Sequence, residues 1–184
     1  MFDQLIDKIK KDKTKWAKFT QNFAERKIPS KTILLSEGEI ANQLYFIKKG
    51  CLRIWFNKDG KDITFQFFFE GGAVASIDSF LSNKPSMFTI ESIEPSIILS
   101  INKDNFEQLL QTYTELKDGF QEILYQRFSN YAQLFLSRIK DTPQERYQEL
   151  ITNHPEIIKR VPQHYIASYL GITPISLSRI RNRK

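Results

Sequence analysis

The sequence predicts an α+β chain in three parts: an N-terminal antiparallel β unit with flanking helices, one long helix, and a C-terminal helix-turn-helix. Three observations carry this. Short runs rich in Ile, Phe, Tyr and Thr recur from about residue 28 to 101, with turn residues between them. An apolar repeat that alternates four and three follows them. The last 24 residues, VPQHYIASYLGITPISLSRIRNRK, place Gly171 and Thr173-Pro174 between two apolar faces, as a turn between two helices requires.

The strands are expected at 31–35, 43–48, 52–56, 62–69, 87–93 and 97–101. Glu37-Gly38, Lys49-Gly50, Asn57-Lys58-Asp59-Gly60, Glu70-Gly71-Gly72 and Glu94-Pro95-Ser96 separate them. Asp59-Gly60 between two strand patterns is a strong hairpin signal. Short strands at this spacing suggest a small antiparallel barrel or sandwich. Ahead of them, Phe2, Leu5, Ile6, Ile9 and Trp16 share one face of an amphipathic helix, which Asp3, Asp7 and Asp12 mark as a solvated helix packed on its own domain rather than on a membrane.

A long helix is expected from about residue 104 to 140, with a break near 112–114, where helix propensity drops. Beyond the break, Leu116, Phe120, Ile123, Arg127, Tyr131 and Leu134 form a coiled-coil-like seam. Such a seam packs either within its own chain or on a second copy, and it is expected to be the dimer interface. Leu124, Phe128 and Phe135 widen the stripe, so a second surface, facing the β unit, is also expected to be covered.

From Asp141 the chain changes character. Thr142-Pro143-Gln144-Glu145 is a capping box, with Thr142 as N-cap and Pro143 at the first helical position. A short strand is expected at 157–161. In the helix-turn-helix, Ile166, Ala167 and Leu170 space an apolar face, Gly171 supplies the positive φ of the turn, and Thr173 caps the next helix. Leu177 and Ile180 face inward there. Ile175, Ser176, Ser178, Arg179, Arg181, Arg183 and Lys184 are left outward, with Gln163 and Thr173 at the two helix starts. These are residue types that contact bases and phosphates. Arg179 is the expected base contact and Ile175 a partner for a thymine methyl; Arg181, Arg183, Lys184, Gln163 and the Thr173 amide suit phosphates.

Charge agrees with that assignment. The chain carries 27 basic and 21 acidic residues, a net +6. Residues 157–184 hold six basic residues and no acidic one, so the other 156 balance at 21 against 21. A basic excess confined to one segment suits phosphate binding by counterion release.

Several function classes lose support. The one cysteine, Cys51, excludes an internal disulfide and a multi-cysteine metal site, and its apolar surroundings make it a buried small hydrophobe. His154 and His164, the two histidines, lack metal-ligand companions. No apolar run reaches a membrane span and no signal-peptide core is present, so a cytoplasmic protein is expected. There is no phosphate loop, nucleophile elbow or paired-carboxylate signature, which favours a binding protein over an enzyme and calls for no cofactor.

The stretch LLSEGEIANQLYFIKKGCLRIWFNKDGKDITFQFFFEGG, followed by a long helix and a helix-turn-helix, resembles the CRP/FNR family, and the likeness covers nearly the whole chain. The "LYxIxxG" segment falls on 44–50 and the hairpin tip on 57–60. The resemblance implies a β-roll of the jelly-roll kind over 1–112 that resembles a cyclic-nucleotide-binding domain, a dimerisation helix over 113–140, and a DNA-binding domain over 141–184. It also implies a homodimer on double-stranded DNA with a pseudo-palindromic site, contact with RNA polymerase, and a small-molecule effector. Its ligand pocket would fall on Gly71, Gly72, Ser76, Ser86, Met87 and Phe88. There this chain departs from the family. Ser76 stands where a ribose-binding Glu belongs, Ser86 and Met87 where a phosphate-binding Arg-Ser pair belongs, and no arginine occurs between Arg53 and Arg127. Losing a bidentate arginine costs at least ~1.5 kcal/mol, so the effector is not expected to be cAMP or cGMP. At the family's base-reading positions only Arg179 matches; Pro174 and Ile175 do not, so the family's usual operator is not carried over. No residue follows Lys184, so a wing after the recognition helix is not expected. The alternative is a sensor of the cyclic-nucleotide type that acts on a protein partner.

Overall fold

In the computed structural model, which describes residues 11–182, two four-stranded antiparallel sheets face each other. Eight strands supply them: β1 (Ala24–Ile28), β2 (Ile33–Leu35), β3 (Gln43–Lys49), β4 (Leu52–Lys58), β5 (Lys61–Phe68), β6 (Ala73–Val74), β7 (Thr89–Ser92) and β8 (Ser96–Asn102). One sheet has the order β1-β8-β3-β6 and the other β2-β7-β4-β5. Chain neighbours thus mostly lie in different sheets, which wraps the strands into a roll. The β4–β5 hairpin closes on Asp59 and Gly60, both with positive φ (52° and 77°), between paired Lys58 and Lys61. That is the two-residue turn whose twist matches the strands.

Ile47, Leu52, Ile54, Val74, Ile90 and Ile98 point between the sheets and are buried there, while Leu44 and Ile101 are buried on the other face of their sheet. Two strands were not expected. In β1 only Ile28 is buried, so an edge strand has no alternating signal to read. β6 has two residues.

Helix α1 (Lys13–Thr20) rests on the roll through Trp16 and Phe19. Phe2, Leu5, Ile6 and Ile9 lie outside the described residues. A short helix α2 (Ile77–Ser82) joins β6 to β7. Helix α3 (Lys103–Thr112) starts at Asn102, whose side chain accepts from the Asn105 amide at 2.8 Å. Tyr113, at φ −124° and ψ 94°, breaks it from α4 (Thr114–Lys140), 27 residues and about 40 Å long.

Four helices complete the chain: α5 (Pro143–Asn153), α6 (Pro155–Arg160), α7 (Gln163–Leu170) and α8 (Pro174–Asn182). The Thr142–Glu145 capping box opens α5, with both reciprocal hydrogen bonds formed. The strand expected at 157–161 is instead the end of α6. Pro155 sits at its first position with Glu156 in its first turn, a helix start that an Ile-Ile pair disguised. A second core forms between these helices and the outside of the roll. Cys51 and Phe67 from the roll join Tyr147, Leu150, Ile157, Val161, Ile166, Ala167, Leu170 and Leu177.

Candidate functional site

The α7–α8 pair is joined by a tight turn in which the end of α7 and the start of α8 are both capped. Gly171 takes φ 70° and ψ 31°; its amide donates to the Ser168 carbonyl at 3.0 Å and the Ile172 amide to the Ala167 carbonyl at 3.0 Å. These bonds satisfy the carbonyls at the end of α7. Thr173 Oγ1 accepts from the Ser176 amide at 3.1 Å and lies 3.0 Å from Ser176 Oγ, which caps α8. Leu177 pins α8 against Ile166, Ala167 and Leu170.

With its inner face spent, α8 turns Ile175, Ser178, Arg179 and Arg181 outward, all exposed; Ser176 is half-buried by its part in the cap. Gln163 and Thr173 stand exposed at the starts of the two helices. Arg183 and Lys184 lie outside the described residues. One arginine that reasoning from sequence missed braces the unit. Arg146 of α5 donates to the Asp141 carbonyl at 2.6 Å and the Leu170 carbonyl at 3.0 Å, tying α5 to the turn.

The residues expected to line a ligand pocket do other work. Gly71 donates to the Ile47 carbonyl and the Gly72 carbonyl accepts from the Ile47 amide, both at 3.0 Å, so the pair serves the strand entry. A Cβ on Gly72 would lie 2.9 Å from the Phe69 carbonyl, which explains the glycine without a phosphate. Ser76 and Ser86 are buried 2.8 Å apart, Oγ to Oγ, and Ser86 Oγ also accepts from the Phe88 amide at 3.1 Å. Met87 turns to solvent, 60% exposed, rather than into the roll. Phe88 stacks on Phe65 at 5.2 Å, and Phe65 meets Tyr131 of α4 at 5.3 Å. Aromatic rings therefore occupy the ground between the two serines and the long helix. A small apolar cavity of about 40 Å³ does exist, but elsewhere, between the β3–β6 side of the roll and helices α1, α3 and α4, with Phe46, Phe106, Phe120 and Arg127 among its walls.

The seam assigned to a second copy packs instead on its own chain. Leu116 is buried in the roll core, Phe120 meets Phe106 at 5.0 Å, and Ile123 lines the small cavity. Arg127 donates to the Ala73 carbonyl and lies 5.0 Å from the centre of the Phe68 ring; Tyr131 meets Phe65. Leu134 is half-buried. Of the residues expected to meet the β unit, Leu124 lines the small cavity, but Phe128 and Phe135 lie on an open face. Phe128 is 76% exposed, Phe135 65% and Ile139 69%, with Tyr125 and Leu136 beside them. Tyr125, Phe128, Ala132, Phe135 and Ile139 repeat at three and four, so they make a heptad seam of their own.

A roll whose short helix lies between β6 and β7 continues through a long helix into a helix-turn-helix. Residues 25–113 match the family model of the cyclic nucleotide-binding domain. It is similar to the anaerobic regulatory protein of Bacillus subtilis (strain 168), with 31% identity over 118 residues, 64% of this chain and 48% of that one. The chain thus spans about half the length of that curated relative. Among solved structures, FixK2 from Bradyrhizobium japonicum superposes with a TM-score of 0.73 at 17% identity, covering 88% of this chain and 83% of that one. A regulator from Eubacterium rectale assigned to the CRP/FNR family gives 0.70 at 17%, covering 92% and 81%. At such identities the likeness is one of fold.

Proposed function

We propose that this chain is a transcription regulator that binds a two-fold symmetric DNA site as a homodimer. The outer face of α8 carries the reading: Ser178, Arg179 and Arg181 project from a helix whose inner face is packed and whose start is capped. The name of the Bacillus subtilis relative, a regulatory protein, supports the same class. Arg179 reads a base, worth ~1–3 kcal/mol of discrimination, and Arg181 binds phosphate. The open heptad seam of α4 is the face for a second copy, which gives two recognition helices the symmetry a palindromic half-site pair needs.

The effector is not a cyclic nucleotide. Ser76 and Ser86 satisfy each other, the described roll offers no arginine beside them, and Phe65, Phe88 and Tyr131 take up the space. The proposed reading is a cytoplasmic regulator rather than an enzyme; no helix among the described residues is long and apolar enough to cross a membrane.

The test is a fluorescence-polarisation titration on a random-operator pool at two salt concentrations, followed by sequencing of the bound fraction. A symmetric site, affinity that falls steeply with salt, and relaxed selection in Arg179→Ala establish the reading. Weak, unselected binding that Arg179→Ala leaves unchanged refutes it and favours a protein partner.

A further inference from the structure

The outer face of the roll beneath α7 is built around a buried cation. Arg53 of β4 lies between Leu52 and Ile54, which point into the roll, and is itself 1% exposed on the opposite side. Glu91 of β7 accepts from its Nε at 2.9 Å and lies 2.7 Å from Nη2. Asp62 of β5 takes Nη2 at 3.0 Å. Two neighbouring strands therefore fix the guanidinium plane from both sides. That plane is presented to the ring of Tyr165 on α7, whose centre is 3.8 Å from Cζ.

Three further contacts tie the same surfaces. Ser168 of α7 donates to the Asp62 carbonyl at 2.8 Å and accepts from the Thr64 amide at 2.9 Å. The ring of Phe67 meets that of Tyr169 at 5.4 Å. Arg160, at the end of α6, pairs with Glu70 at 2.7 Å and with Glu94, both on the roll. A guanidinium stacked on a ring is directional, and a backbone-to-hydroxyl pair fixes height along the strand. Together they set both the rotation and the position of α7. The Gly171 turn and Leu177 make α8 rigid with α7, so the same contacts set where α8 stands relative to the roll and α4.

We propose that Arg53, through Tyr165, is a positioning residue for DNA reading: the outer face of the roll holds the helix-turn-helix in its DNA-reading arrangement without a bound effector. This rests on the regulator reading above and adds to it the means of control. The roll acts as a fixed platform, and the carboxylates of β5 and β7 aim its central cation.

The chain's single cysteine gives a readout independent of DNA. Cys51 is fully buried in the core shared by the roll and the helices, so a thiol reagent reaches it when that core opens. The experiment uses the full chain and the variants Tyr165→Leu and Tyr165→Phe. It measures the rate of Cys51 alkylation by N-ethylmaleimide and the affinity for the site that the wild type selects from the random pool. In Tyr165→Leu the alkylation rate rises by about tenfold and operator affinity falls by about as much, while far-ultraviolet circular dichroism is unchanged. Tyr165→Phe, which keeps the ring, returns both to near the wild-type values. Unchanged alkylation in Tyr165→Leu overturns the contact. Faster alkylation with equal or tighter DNA binding overturns the positioning role, because the docked arrangement would then restrain reading. A wild type that selects no DNA overturns the regulator reading and the positioning role with it, and the alkylation ratio still decides whether the Arg53–Tyr165 contact holds the helices.

Discussion

The two sides of the β2-β7-β4-β5 sheet are built on opposite principles. Its inner side is aliphatic and aromatic: Leu52, Ile54, Phe68 and Ile90 pack into one dry core. Its outer side carries a buried arginine with two carboxylates and the Thr64 hydroxyl around it, beside Phe67, and is covered by α7. The inner side needs only volume. The outer side needs each partner in place, since a buried charge left unpaired is far costlier than a small void. The side on which the family resemblance implies a ligand is filled by its own rings, and the side facing α7 holds a specific polar geometry.

Breaking the outer side has the largest expected effect. Arg53→Met leaves Glu91 buried without a cation and is expected to lower stability by about 3–5 kcal/mol in urea unfolding. Adding Glu91→Leu should recover most of that loss. If the double variant is no better than the single one, packing rather than charge governs that side. A comparable inner substitution, Ile90→Val, removes one methylene and should cost about 0.5–1.5 kcal/mol.

Ligand response sharpens the contrast from within. Cyclic AMP at millimolar concentration should leave the thermal midpoint unchanged. A ligand present at a hundred times its dissociation constant would add about 2.7 kcal/mol, so even moderate binding would be seen. The open seam of α4 belongs to neither side of the sheet. Phe128→Glu should leave the unfolding of the protomer within about 0.5 kcal/mol, as a surface change, while sedimentation shows the dimer lost. Phe120, on the opposite face, should show the reverse pattern when changed to Ala.

Acid should act on the outer side in a small and graded way. Arg160's two hydrogen bonds hold the Glu70 carboxyl down to about 2, against an ordinary value near ~4.3. A depressed carboxyl contributes stability above its unfolded value and loses it as pH falls through its folded one. The Glu70–Arg160 tie should therefore be complete above about pH 4.3 and fade towards pH 2. Glu70's side chain is 39% exposed, so solvent screens the pair and the effect is slight. The urea-unfolding midpoint followed from about pH 5 down to about pH 2, with Glu70→Gln as the control, measures it.

How much could be read in advance follows the range of the interactions. The Asp59-Gly60 turn, the Thr142–Glu145 capping box and the Gly171–Thr173 corner depend on neighbours in sequence, and the structure has each of them. Recognition of the helix-turn-helix rests on the same local chemistry. The edge strand β1 has only one buried residue and so gave no pattern, and the Ile157-Ile158 pair in α6 imitated a strand. Arg53 did leave a trace: a charge set inside the apolar run Leu52 to Phe56, with acids on two other strands. The register that brings Glu91 and Asp62 to it is not written in any one segment.

The amino-acid sequence alone determined the order of parts, the turns, the caps, the basic C-terminal segment and the lack of any arginine between Arg53 and Arg127, because each depends on residue type or short spacing. The tertiary structure alone decided which stripe of α4 is covered. Both stripes are apolar at helical spacing, and only the position of the roll, which buries Leu116 and half-covers Phe120 and Tyr131, leaves Phe128, Phe135 and Ile139 for another surface. It also decided that Phe65, Phe88 and Tyr131 meet, and that Arg53 faces Tyr165, since these contacts join segments whose approach is fixed by the packing of the whole chain.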